Sequence, residues 1–373
     1  MKKLLTILLF VSKSSFCQSS GSPNIFIITT DGFRWQEVFT GADSAILFNP
    51  DYVKDTATFR YMYWANTAAE RRQKLMPFLW NFVVQKGQLW GNRNYGNDVS
   101  VVNPYKISYP GYNEIFTGYN DWFVSLNRPK SNPNSTILDY LNNSSAYKNK
   151  VAAFTSWKIF NYILNSPNNT VPLNCGYQQA DGDSLTGTET VTDYIEATSS
   201  YNKEHTRRDM LTFTLATEYV KKKHPKVLYI GFGETDEFAH HGRYDLYLNQ
   251  ANLFDKFLAE LWSFVQSDKF YKNNTIFFIT TDHGRGNKSS TWASHGFWVK
   301  GSKETWMVQF GYNINPLGEV KENKTVYATQ FAQTIASYLG QNFSAEHAVV
   351  PASGFLLSST GKQKIYDKQV TIK

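Results

Sequence analysis

Three short apolar runs constrain most strongly what this chain can fold into: Asn24 to Thr30 (NIFIITT), Lys226 to Phe232 (KVLYIGF) and Thr275 to Thr281 (TIFFITT). Each is rich in β-branched and aromatic residues and reads as a buried strand. Each ends on a polar cluster: Asp31; Glu234, Thr235 and Asp236; Asp282 and His283. Helical patterns lie between them, at Arg208 to Lys222 and Asp245 to Val265. Strands alternating with helices imply an α/β fold with a largely parallel central sheet and helices on both faces. Ligands of such sheets bind beyond the carboxyl ends of the strands, where these acidic residues and histidines fall.

Trp306 to Phe310 reads as a further strand and Val326 to Leu339 as a last helix. Residues 39–97 show no clear strand run and read as helical insertions around a substrate entrance. Residues 167–204 read as a second, loop-rich insertion shaped like a lid. Trp35, Tyr61 to Trp64 and Trp80 are candidates for stacking on a base or a sugar. With 373 residues, 42% of them hydrophobic, the chain can bury one large core. No Pro/Gly/Ser linker divides it, so residues 21–373 read as a single domain.

Residues 1–20 read as a secretory signal peptide. Lys2 and Lys3 precede a mostly apolar run from Leu4 to Val11, which is too short to span a bilayer. The expected location is therefore outside the cytoplasm, periplasmic or secreted. Lipid anchoring at Cys17 is disfavoured, because Phe16 stands where an acylation site has a small residue. Cys17 and Cys175 are the only cysteines, which excludes a disulfide framework. A net charge of +7 suits anionic substrates. The basic residues are scattered, apart from the helix end at Lys221 to Lys223, and no nucleic-acid-binding motif is present.

The polar residues at the strand ends form a set that can ligate metal. Asp236 and His240 are four apart, so on a helix they share one face. Asp282 and His283 are adjacent, His295 lies in a small-residue turn (SHG), and Asp31 adds a carboxylate. A single strand-end Asp is usually a helix cap, and a lone His is usually a satisfied polar group. Here, however, four of seven histidines (His240, His241, His283 and His295) fall in these segments. Mixed oxygen and nitrogen donors without thiolates favour zinc or manganese over magnesium or calcium.

In their order and spacing these segments resemble the alkaline-phosphatase superfamily, including its type I phosphodiesterase/nucleotide pyrophosphatase branch. The resemblance implies two divalent metal ions. Asp236, His240 and His295 match the first site; Asp31, Asp282 and His283 match the second. It also implies a nucleophile. In KISYPGYNEIFTG, Ser108 stands two residues before Pro110 and ahead of Thr117-Gly118, where the family keeps a Ser or Thr that also contacts the metal. The implied activity is hydrolysis of a small phosphate ester, monoester or diester, through a phosphoseryl intermediate.

The chain departs from the family pattern at three points. Gly111-Tyr112 follows Pro110, where diesterases carry Asn-His. The family's phosphate-contacting Asn has two candidates, Asn120 and Asn127. Lys158 matches the first member of a Lys-x-Arg pair found in some phosphomonoesterases, but Phe160 replaces the Arg. A sulfatase is the main alternative, although Tyr112 stands where its formylglycine motif needs Arg. A phosphoglycerate-mutase-like phosphotransferase conflicts with export. A non-catalytic binding protein conflicts with a ligand set from which nothing is missing.

Overall fold

The structure is a computed structural model that describes residues 22–164, 171–180, 182, 184–199 and 206–357. The expected signal segment and Cys17 lie outside the described residues. The three apolar runs form β1 (Asn24–Thr30), β6 (Val227–Phe232) and β7 (Thr275–Thr280), and every residue in them is buried. Between them come β2 (Gly87–Trp90), β3 (Asn97–Ser100), β4 (Val151–Thr155) and β5 (Leu173–Cys175). After β7 follow β8 (Glu304–Thr305), β9 (Met307–Gly311), β10 (Gly318–Glu319) and β11 (Lys324–Tyr327).

The main sheet has eight strands in the order β10-β2-β9-β7-β1-β6-β4-β5. β1 sits at its centre, parallel to β6 and β7, and β4 and β5 continue in the same direction. Only β9 runs against its neighbours β7 and β2. The sheet is thus largely parallel, as expected. A small second sheet has the order β11-β3-β8.

Because side chains alternate across a strand, the central strands feed two cores at once. Phe26, Ile28, Phe277 and Ile279 enter one. Ile25, Ile27, Ile276 and Phe278 enter the other. The first core is covered by helices Asp209–Lys223 and Tyr244–Ser267, through residues such as Phe213, Val220, Phe254 and Leu261. The second is covered by helices Ser108–Thr117 and Phe331–Tyr338, through Ile115, Phe116 and Ile335. Each such side chain contributes roughly 1.5–3 kcal/mol by leaving water.

Elsewhere the sequence reading needs amendment. Residues 39–97 contain β2, which pairs antiparallel with β9. The 167–204 stretch contains β5 and a helix, Gly187–Thr198, begun by a capping box of Thr186 and Glu189. Trp80 is core, with its indole N–H donating to the Val38 carbonyl. Trp35 donates to Glu304. Trp80 therefore offers no open stacking surface, while Trp35 is half-buried.

Candidate metal centre

Parallel order brings the carboxyl ends of β1, β6 and β7 side by side, and with them their polar clusters. Asp31 opens the turn after β1. Gly32 follows at φ +56°, where its N–H donates to Asp282 Oδ1 at 3.0 Å. A Cβ on Gly32 would stand 2.7 Å from Asp236 Oδ1, so the turn needs glycine for both backbone and space. The short helix Glu234–His240 follows β6 and places Asp236 and His240 one turn apart, with His240 Nε2 3.1 Å from Asp236 Oδ2.

His295 comes from a compact loop after β7. Gly284 N donates to the Ser302 carbonyl and Gly286 N to the Ser294 carbonyl. Fully buried Trp292 packs its ring against Tyr52, Tyr244 and Tyr247 and anchors the loop. His295 Nε2 thereby reaches 3.0 Å from His240 Nε2 and 3.7 Å from Asp236 Oδ1.

On the other side, His283 Nε2 lies 3.5 Å from both Asp31 Oδ1 and Asp282 Oδ2. Two donor sets follow, each with atoms within 4.8 Å of one another: Asp236, His240 and His295; and Asp31, Asp236 and His283, with Asp282 beside them. His283 Nδ1 faces the Gly284 carbonyl at 2.9 Å, and His295 Nδ1 faces the Lys106 carbonyl at 3.3 Å. A carbonyl can only accept, so each Nδ1 carries the proton and each Nε2 keeps its lone pair toward the cluster.

The chemistry of the donors fits divalent cations. Asp282 Oδ2 is buried without a hydrogen-bond partner, and such an atom is costly unless a cation meets it. Burial, with repulsion from Asp282 and Asp236, pushes the Asp31 carboxyl well above its usual range. Burial also pushes Asp282 up to about 8. At Asp236 burial acts in the same direction. It is outweighed by the Arg285 guanidinium, then by His240 and His295, which hold that carboxyl well below its usual range. Burial lowers His295 to about 4, so its imidazole is neutral and able to ligate.

Ser108 is the first residue of the Ser108–Thr117 helix, after extended Ile107. Its Oγ lies 3.4 Å from both Asp31 Oδ1 and His283 Nε2. The structure therefore brings Ser108, Asp31, Asp236, His240, Asp282, His283 and His295 together. Asn127 comes close as well: its Oδ1 accepts from Tyr109 N at 2.8 Å, one residue from Ser108. Asn120 does not. It follows the far end of that ten-residue helix, about 15 Å along the axis from Ser108. Lys158 stands exposed in the turn after β4, two strands from β1.

Two residues of the site escaped the sequence reading. Tyr112, fully buried, donates its hydroxyl to Asp31 Oδ2 at 3.2 Å. Its place one turn after Ser108 was the available signal. Arg285, 1% exposed, bonds to the Asp236 carboxylate and to the Ala293 carbonyl. It holds Asp236 and clips the His295 loop together. In sequence it looks like any loop arginine.

A sequence model of the metalloenzyme superfamily matches residues 181–297, the stretch carrying Asp236, His240, Asp282, His283 and His295. No curated protein sequence matches the chain. Among solved structures, wild-type alkaline phosphatase PafA aligns with TM-score 0.56 and 11% identity, over 89% of this chain and 98% of that one. A phosphonate monoester hydrolase of Agrobacterium radiobacter aligns with TM-score 0.55 and 12% identity, over 91% and 78%. A 2-O GAG sulfatase aligns with TM-score 0.55 and 13% identity, over 92% and 76%. These likenesses define the fold. The metalloenzyme match adds a family likeness for residues 181–297, the segment that carries five of the clustered donors.

Proposed function

We propose that the chain hydrolyses phosphate esters through a phosphoseryl intermediate on Ser108, in the manner of the phosphodiesterase/nucleotide pyrophosphatase branch. The observation that carries this reading is the Ser108 Oγ, 3.4 Å from two ligand atoms of the Asp31 set and at the start of a helix. Asp236, His240 and His295 would hold one divalent cation, and Asp31, Asp282 and His283 with Ser108 a second, zinc or manganese by donor type. When bound, such cations acidify a hydroxyl and neutralise charge on the phosphoryl and leaving oxygens.

Ser108 Oγ attacks phosphorus in line. The Oγ–P bond forms as the P–O ester bond breaks, and the alcohol leaves with a proton. Water then attacks the phosphorus of the seryl intermediate, frees phosphate from a monoester or the remaining phosphomonoester from a diester, and restores the hydroxyl. The helix start adds positive potential toward the anion. Asn127 ties the adjoining loop to that start. Tyr112 and Arg285 keep Asp31 and Asp236 oriented.

Sulfate ester hydrolysis is the second reading, since a sulfatase shares the fold. Tyr112 weighs against it: the position where the formylglycine motif needs a cation holds a buried phenol bound to Asp31. We also read residues 1–20 as an export signal ahead of one catalytic domain, 21–373. Among the described residues, no helix is long and apolar enough to cross a membrane.

The test compares turnover of a phosphomonoester, a phosphodiester and a sulfate ester by purified protein supplied with zinc, manganese or calcium. Acid quenching during phosphate-ester turnover should trap phosphoserine at Ser108. Faster sulfate than phosphate ester cleavage would overturn the reading.

A further inference from the structure

The turn that leads into Ser108 fastens two loops bearing exposed aromatic side chains. The Tyr105 hydroxyl donates to the Trp122 carbonyl at 2.6 Å. The Lys106 ammonium donates to the Phe297 carbonyl at 2.9 Å and lies 5.5 Å from the Phe297 ring centroid. His295 Nδ1 donates to the Lys106 carbonyl. Trp122 on one side, and Phe297 with Trp298 on the other, are thus tied to the segment just before the nucleophile. Phe297 follows the ligand His295 by two residues, a backbone reach of about 7 Å at most.

These rings are not core. Trp122 is 64% exposed, Phe297 49% and Trp298 89%. The turn that holds them is nevertheless firmly built. Buried Glu114 accepts from Val102 N and from Asn103 Nδ2 at 2.8–3.0 Å. Asn103 Oδ1 in turn accepts from Lys106 N at 2.7 Å. Lys106 is held at φ +53°, a left-handed conformation costly for lysine and characteristic of functional turns.

Position gives the rings a role. The donors that would meet the phosphoryl group lie deep, with Asp282 and His283 at 0% exposure. His240 has a half-exposed side chain whose Nε2 is 3.0 Å from His295 Nε2, and Phe297 and Trp298 follow His295 by two and three residues. With Asp31, Asp282 and His283 buried, His240 is the exposed edge of the donor set, and the alcohol of a bound ester would extend past it. Building on the hydrolase reading, we infer that Tyr105, Trp122, Phe297 and Trp298 form the subsite for this alcohol, and that the alcohol carries a ring whose face stacks on them.

The test uses benzyl phosphate, glucose 6-phosphate and ethyl phosphate, whose alcohols are aromatic, saturated ring and small. Benzyl and ethyl alcohol differ little in acidity, so their esters differ mainly in what the subsite touches. Trp122→Ala and Trp298→Ala should each raise KM for benzyl phosphate or glucose 6-phosphate about tenfold, the ester affected identifying the ring. Turnover of ethyl phosphate should be unchanged. A direct readout is quenching of tryptophan fluorescence when Ser108→Ala protein is titrated with the ring esters, lost on adding Trp298→Ala. If both variants leave ring and ethyl esters alike, the subsite falls while the hydrolase reading stands. If no ester is turned over but ring-dependent quenching persists, the hydrolase reading falls and a ring-binding surface stands. If ring-ester KM is unchanged while the tryptophan variants stop sedimenting with anionic phospholipid vesicles that wild type binds, the rings contact a membrane surface and the inference is wrong.

Discussion

Tyr112 and Asp31 are joined by a hydrogen bond of 3.2 Å that couples the helix of the nucleophile to the end of β1. The phenol is fully buried, and burial pushes its pKa well above the usual value, so it is a permanent donor. It leaves Asp31 Oδ1 facing Ser108 and His283. Tyr112→Phe keeps the ring and removes only the donor. It should lower affinity at the Asp31 metal set about tenfold, the scale usual for a partner that orients a ligand. Titrating the metal-free variant with zinc by calorimetry measures this directly. Equal affinity with wild type would remove Tyr112 from the site.

Gly111 sets how closely that helix approaches β7. A Cβ there would stand 2.3 Å from the Asp282 carbonyl oxygen, so Gly111→Ala must push the helix off the strand end. We expect a loss of about 2 kcal/mol in stability and a larger relative loss of turnover, because Ser108 and Asp282 move apart. Gly187→Ala is the control: a Cβ there meets nothing within 4 Å, and it should leave both quantities within about 1 kcal/mol of wild type. Thermal unfolding and phosphate-ester turnover of the two variants decide the point.

The departure at Gly111-Tyr112 shows why parts of the site were hard to read. Ligand spacing was legible because the strands that carry it are continuous apolar runs and the i,i+4 pair on a helix is geometric. Gly111 meets Asp282 after β7 and Tyr112 meets Asp31 after β1, 81 residues away, so both contacts depend on how a helix docks on distant strand ends, which no local pattern encodes. Arg285 was invisible for the same reason, since a buried paired arginine and a solvated one look alike in sequence. β2 escaped because it has four residues and gains its burial from β9. The Gly187–Thr198 helix was read as loop although its Thr186/Glu189 capping box was written in the sequence. The residues around it are mostly polar, and apolar periodicity outweighed the cap in the reading.

Asp255 supplies a pH dependence far from the metal centre. It is 1% exposed and accepts from Phe78 N and Leu79 N, yet burial pushes its carboxyl up to about 7. A carboxyl raised on folding contributes fully below its unfolded value, near 4. That contribution is lost as pH rises toward about 7, because the folded state must then bury the charge. Wild type should therefore lose stability between about pH 4 and 7 by an amount on the order of 3 kcal/mol from this group. Asp255→Asn should flatten that stretch. Urea midpoints measured every half unit of pH for both proteins check it, and parallel curves would show that Asp255 titrates normally.

Ser108→Ala separates the covalent step from metal binding. The six other residues of the two donor sets are untouched, and the alanine keeps the helix start, since Ser108 caps nothing with its side chain. Metal content should stay near that of wild type, while turnover of phosphate esters falls by several orders of magnitude, about 4 kcal/mol or more in barrier height. Ser108→Thr should retain part of the activity, because the hydroxyl remains although its β-methyl restricts the rotamer. Asp236→Ala should behave differently. It removes a carboxylate that belongs to both donor sets and leaves Arg285 without its partner, so metal content and activity should fall together. The measurement pairs steady-state turnover with metal analysis for each variant. Near-normal turnover by Ser108→Ala would rule out the serine as nucleophile, and direct attack by a bound hydroxide would replace the phosphoseryl route.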